Sequence, residues 1–232
     1  MDMKHLHHHS AQNETGNVIV LILIAVALFG ALTFTLSRSM QGGNSDELNA
    51  AQLQQYTSEI LTYAAVAENV VNQMAFDGTA IDEIDPILPS DGAFNTAPNI
   101  KKLFHVSGGG LNYKPAKEPP FVLVSPAPTT QSAWVVSNVT NVEWTPSTAN
   151  DVVLTAFGIE EGICAEINKK LTGSVTIPAL VGVSIENDVF AEDGGGANLT
   201  TVECPACDGI SSLCVSNAAV DRWFFYSIIA TN

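Results

Sequence analysis

Four cysteines are the residues with the clearest chemical potential in this 232-residue chain. Cys204 and Cys207 form a C-x-x-C motif, whereas Cys164 and Cys214 stand alone. A zinc site would need four soft ligands, usually from two such motifs, and a thioredoxin-like centre would need its motif at the start of a helix. An even cysteine count in an external domain favours structural disulfides. Of the three possible connectivities we expect Cys164–Cys214 and Cys204–Cys207, with zinc binding and redox catalysis as alternatives.

A second candidate site is an acidic stretch that precedes three consecutive glycines. It groups Glu186, Asp188, Glu192 and Asp193 within eight residues. Calcium takes six to eight oxygen ligands, so these carboxylates are candidate calcium ligands, although their spacing does not match an EF-hand loop. The alternative is a solvated acidic loop.

The remaining residues give little support for catalysis. His105 is the only histidine beyond the N-terminal cluster, and no serine lies in a Gly-x-Ser-x-Gly motif. Acidic residues are so numerous that some will lie near each other by chance. The sequence therefore predicts a protein that is not an enzyme and has no cofactor apart from a possible calcium ion.

The charge of the chain is unevenly distributed. The net charge is −15, and the residues after Arg38 contain seven basic and 22 acidic side chains. This composition excludes the basic surface that a nucleic-acid partner requires. The mean hydropathy is nevertheless positive, at +0.20, which indicates a strongly apolar segment elsewhere.

That segment is residues 18–36, which contain no charge. As a helix it would extend about 28 Å, close to the hydrocarbon thickness of a bilayer. We therefore predict a leader or cytoplasmic tail at 1–17 and a transmembrane helix at 18–37. The lipid bilayer is then a partner. The four cysteines and the acidity favour a periplasmic or extracellular C-terminal part.

An amphipathic helix is predicted over residues 44–77. One apolar stripe recurs at alternating spacings of three and four, and Asp77 and Gly78 supply a stop. The stripe consists of Leu53, Tyr56, Ile60, Tyr63, Ala67, Val70 and Met74. It can pack on its own domain or form a seam against other copies, and we expect the first.

The remainder, residues 78–232, is predicted to be an α+β domain dominated by antiparallel strands. Runs rich in Val, Ile, Phe and Trp indicate strands at 121–124, 133–139, 151–156, 175–185 and 222–230. A short helix is expected at 160–171, with Ile159, Ile163, Ile167 and Leu171 facing the sheet. The three tryptophans are expected in the core, and the glycine triplet at 108–110 has no phosphate-loop context.

The order of these segments resembles a type IV pilin or pseudopilin. A short polar leader ends in Gly16, the apolar run starts at Val18, and an amphipathic helix and a β-rich end with cysteines follow. The resemblance implies cleavage after Gly16, with Asn17 as the new N-terminus, and assembly through packing of the apolar helices. Pilins usually have Glu at the fifth mature position, where this chain has Leu21, a departure compatible with a minor pseudopilin.

The sequence thus predicts a membrane-anchored pilin-like structural protein that assembles with other pilin-like subunits or with copies of itself. The alternative is an uncleaved single-pass membrane protein whose external domain binds a ligand or calcium.

Overall fold

The computed structural model describes residues 50–114, 134–181, 198–217 and 222–232, which all belong to one compact unit, Ala50–Asn232. Within these ranges, none of the helices combines the length and the apolar character needed to traverse a bilayer. The predicted leader and transmembrane helix lie outside the described residues, as does the predicted strand at 121–124.

Helix α1 spans Ala50–Phe76 and is 27 residues long, or about 40 Å. It ends where predicted, since Gly78 has a φ of 98° and the Thr79 amide donates to the Met74 carbonyl at 3.0 Å. Its buried residues are Thr57, Ile60, Tyr63, Ala64, Ala67, Val71 and Met74. They pack on a second helix and on the sheet, which confirms packing on the protein's own domain. Residues 44–49 lie outside the described residues.

Among the described residues, five strands form one sheet in the order β1-β2-β5-β4-β3. All pairs are antiparallel except the short parallel pair of β3 and β4. This confirms the α+β class with a mostly antiparallel sheet. The strands are β1 (Trp134–Thr140), β2 (Asp151–Ile159), β3 (Ala179–Leu180), β4 (Ser212–Asn217) and β5 (Arg222–Ala230).

One predicted strand is much shorter than expected, and one strand was not predicted. The segment predicted from 175 onward contains only the two-residue β3 among its described residues, because its start runs as irregular chain after the short helix. Strand β4 was not predicted, although it pairs along β5 from Ser212 to Asn217. Cross-strand pairing and burial decide its conformation.

Helix α2 spans Glu161–Thr172 and ends at Gly173, which has a φ of 79°. Ile163 and Ile167 are buried as predicted, but Leu171 is 42% exposed. An α-helix turns by about 100° per residue, so a repeat of four residues rotates by about 40° at each step. The prediction that Leu171 faces the sheet was therefore wrong.

Different segments of the chain pack on the two faces of the sheet. Cys214 is bonded to Cys164 of α2, whereas its neighbours Leu213 and Val215 belong to a buried cluster with Leu199, Cys204 and Cys207. Successive strand residues point to opposite faces. The helices thus cover one face, and the segment around 199–207 covers part of the other.

Candidate functional site

The structure has two disulfides, and Cys164–Cys214 spans the greater sequence separation. It joins α2 to β4. Its Cα atoms are 5.4 Å apart across a sequence separation of 50 residues. One helical turn later, the buried Asn168 side chain binds the backbone of Cys214 twice. Its Nδ2 donates to the Cys214 carbonyl at 2.8 Å, and its Oδ1 accepts from the Cys214 amide at 2.8 Å. Covalent and hydrogen bonds therefore fasten the same residue of β4.

The second disulfide joins Cys204 and Cys207 around a short 3₁₀ turn, Pro205–Cys207. Both cysteines are fully buried, and the Ile210 amide donates to the Cys207 carbonyl at 2.9 Å. These are the two pairs expected from the sequence. All four cysteines are bonded, so zinc has no thiolate here, and burial of both residues of the C-x-x-C motif favours a structural role over redox catalysis.

The candidate calcium ligands Glu186, Asp188, Glu192 and Asp193 lie outside the described residues, as do the predicted processing residues Gly16 and Asn17. Among the residues that the structure describes, no group of three or more His, Cys, Asp or Glu side chains could hold a metal ion.

Two carboxylates near the C-x-x-C turn accept hydrogen bonds from threonines of the fold. Glu143 accepts hydrogen bonds from the Thr201 amide at 2.6 Å and from its hydroxyl at 2.8 Å, and these bonds lower the pKa of Glu143. Glu203 accepts from the hydroxyl and amide of Thr200, and the hydroxyl bond contributes most to lowering the pKa of Glu203. Both pairs hold the turn that precedes Cys204.

Asp151 is a fully buried carboxylate at the start of β2. Its Oδ2 accepts from the Val142 amide at 2.9 Å and from the Thr145 hydroxyl at 3.1 Å. Its Oδ1 is buried and has no hydrogen-bond partner. Burial raises the pKa of Asp151, and the two hydrogen bonds oppose that effect. This side chain anchors the β1–β2 turn. The backbone of this turn is hydrogen-bonded to the backbone of Leu199.

A buried lysine that the sequence does not indicate lies in the segment between α1 and the sheet. Lys102 is only 3% exposed, and its Nζ donates to the carbonyls of Ala93, Phe94 and Thr96 and to Oδ1 of Asn99. No sequence signal identifies these acceptors, since three of them are backbone atoms. The neighbouring Lys101 instead pairs with Glu83 at the surface, at 2.5 Å.

His105 lies beside this lysine site and is almost completely buried. Its Nδ1 accepts from the Ser107 amide at 3.1 Å, and its ring centroid is 5.2 Å from that of Phe94. These contacts give His105 a packing role.

The glycine triplet has a packing role that the sequence did not indicate. A Cβ on Gly109 would lie 2.5 Å from the Leu103 carbonyl and 2.8 Å from Met74 Sδ on α1. The residue must therefore be small for residues 99–110 to contact α1.

The tryptophans differ in burial. Trp134 is buried, and its ring centroid is 4.4 Å from that of Tyr63 on α1. Trp144 and Trp223 are half-buried, so the prediction of core positions is confirmed fully for Trp134 alone.

Comparison with known proteins identifies no relative of this chain. No family model, no curated protein and no solved structure matches the chain. The resemblance to pilins therefore stays a prediction from the sequence.

Proposed function

We propose that the chain is a membrane-anchored, non-enzymatic structural protein of the pilin-like kind, in which residues 18–36 form the anchoring and assembly helix. The observation that carries the proposal is α1, which follows this apolar run in the sequence and packs along an antiparallel sheet with two disulfides. That order of elements suits a protein whose N-terminal part holds a folded domain at a membrane.

The packing of α1 supports this division of roles. Its buried face contacts α2, β2 and β5 of its own domain, so the stripe serves the fold. Assembly is then assigned to the uncharged residues 18–36, which are apolar enough to pack against lipid or against the same segment of another subunit.

The disulfides and the charge support the proposed topology. Disulfides persist in oxidising compartments, and the structure has two. We therefore propose a cytoplasmic N-terminus and a periplasmic or extracellular domain. The net charge of −15 gives that domain solubility, and it repels other copies. Packing of the apolar helices would have to offset this repulsion in an assembly.

Processing of the leader provides the direct test. We expect the full-length protein from native membranes to begin at Asn17 when its N-terminus is determined by intact mass and terminal sequencing. Gly16→Val should block this cleavage and leave the longer form in the membrane. Ala11→Val, a change of similar bulk within the leader, is the matched control and should be cleaved normally. A membrane form that starts at Met1 in the unmodified protein would contradict the processing step, and recovery in the soluble fraction would contradict the anchor.

A calcium titration separates this function from the ligand-binding alternative. The structural function requires no calcium response, so we expect no change in melting temperature with millimolar calcium. A rise that disappears when Asp188 and Asp193 are changed to Asn would instead favour an external calcium-binding domain.

A further inference from the structure

The ammonium group of Lys102 lies in a cage of oxygen atoms. Nζ donates to the carbonyls of Ala93 at 2.9 Å and Phe94 at 2.8 Å, to the carbonyl of Thr96, and to Oδ1 of Asn99 at 3.0 Å. These acceptors all lie within one seven-residue segment, 93–99. One cation thus joins the carbonyls of a segment that, apart from Asn99 at its end, contains no helix or strand.

The chemistry of the cage is that of a cation site. An ammonium has three donors and no acceptor, and here four oxygens surround it, so its charge faces carbonyl and amide dipoles. Among the described residues no carboxylate lies within ion-pair distance of Nζ. Rings of backbone carbonyls replace the hydration shell of monovalent cations in the same way.

The backbone holds the lysine and the cage in register. The Leu103 amide donates to the Asp85 carbonyl at 2.9 Å, and the Gly109 amide donates to the Lys102 carbonyl at 3.0 Å. Leu103 is fully buried and Phe104 nearly so. The lysine stem therefore leaves a point of the fold that backbone hydrogen bonds and buried neighbours hold in place.

We infer that residues 93–99 are a cation-binding loop whose resident ligand is the chain's own Lys102 ammonium. The ligand class of the site is a primary ammonium ion. When the lysine stem is shortened, the vacated cage binds a free primary amine in its ammonium form. The order of the loop depends on this occupant.

Chemical rescue tests the inference with the full-length protein in a mild detergent. Lys102→Ala removes three methylene groups and the ammonium, and n-propylammonium supplies the same atoms. We expect Lys102→Ala to melt about 5–10 °C below the unmodified protein and its residues 93–99 to exchange amide hydrogens faster. Saturating n-propylammonium should restore at least half of the lost melting temperature. Tetramethylammonium at the same concentration, which has the same charge but no N–H donor, should not restore the melting temperature.

The adjacent residue supplies a matched control. Lys101→Ala removes a half-buried lysine whose ammonium forms one surface ion pair, and we expect a change of about 2 °C or less and no response to either cation. The inference is overturned if Lys102→Ala melts like the unmodified protein, or if n-propylammonium and tetramethylammonium act equally on it.

A labelling measurement covers the case in which Lys102→Ala does not fold. In the unmodified protein, acetylation followed by mass mapping should modify Lys102 at least ~10-fold more slowly than the exposed Lys169 and Lys170. Equal rates at the three lysines would show that the ammonium is not held in the cage, and would overturn the inference.

Discussion

Two regions of this domain are fastened by different chemistry. The α2–β4 region is joined by the Cys164–Cys214 disulfide and by Asn168, which binds the backbone of the same cysteine. The segment from Asp85 to Leu111 has no disulfide and is held by a buried ammonium, by backbone bonds and by a glycine packed on α1. The covalent bond of the first region is sensitive to reduction, whereas the second region contains no disulfide, so treatments that weaken one region should spare the other.

The largest expected effect is removal of the long-range disulfide. The double variant Cys164→Ala/Cys214→Ala opens a loop that spans 50 residues, and should lower the free energy of unfolding by about 4 kcal/mol in the chain-entropy model. Urea unfolding of the full-length protein measures this change. Cys204→Ala/Cys207→Ala is the matched control, with an expected loss of about 2 kcal/mol because its loop is short. Equal losses would mean that loop length does not explain the difference between the disulfides.

The next effect concerns the hydrogen bonds that join α2 to β4 beside the disulfide. Asn168→Ala removes two hydrogen bonds with Cys214 and one with the Thr176 carbonyl, and leaves buried backbone groups unsatisfied. We expect a loss of about 2–3 kcal/mol by urea unfolding. Asn69→Ala, which removes one exposed bond within α1, should change stability by about 0.5 kcal/mol or less. A loss as small in Asn168→Ala would mean that the disulfide alone fastens β4 to α2.

A smaller effect is expected in the second region. Gly109→Ala forces a methyl group against the Leu103 carbonyl and Met74, and should lower the free energy of unfolding by about 1–2 kcal/mol. Hydrogen exchange should locate the change between Asp85 and Leu111 and leave α2 and β4 protected. Gly92→Ala is the control, because nothing lies within 4 Å of its added Cβ. If exchange in α2 and β4 rose equally, the two regions would not be separately fastened.

The smallest expected effect is the pH response of Asp151. Its pKa is raised in the fold by burial, so the folded state takes up a proton before the unfolded state does as the pH falls from neutral towards about 4. The contribution of Asp151 to stability therefore rises as the pH falls, and its ionised form is a penalty at pH 7. Asp151→Asn should be more stable than the unmodified protein by on the order of 1 kcal/mol at pH 7, and this gain should be smaller at pH 4, where Asp151 is protonated more in the folded state.

Urea unfolding at the two pH values measures this difference, and the exposed Asp208→Asn is the control. A stabilising effect of Asp151→Asn that grew towards pH 4 would have the wrong sign for a raised pKa.

Local patterns in the sequence predicted much of the fold. The stripe that includes Ile60 and Tyr63 indicated α1, and the apolar run at 222–230 matches β5. Strand β4 was missed because its conformation depends on pairing with β5, which lies later in the chain. The fastenings at Asn168 and Lys102 could not be predicted, since their partners are mainly backbone carbonyls that every residue possesses.

The position of β5 has a consequence for how the domain forms. This strand follows the other four described strands in sequence, yet it lies at the centre of the sheet between β2 and β4. The edges of β2 and β4 that face β5 stay unpaired until residues 222–230 have been made, so the sheet cannot form strand by strand as the chain is synthesised. A chain that crosses a membrane before residues 222–230 emerge would do so with its sheet incomplete, and loss of these residues would remove the centre of the sheet.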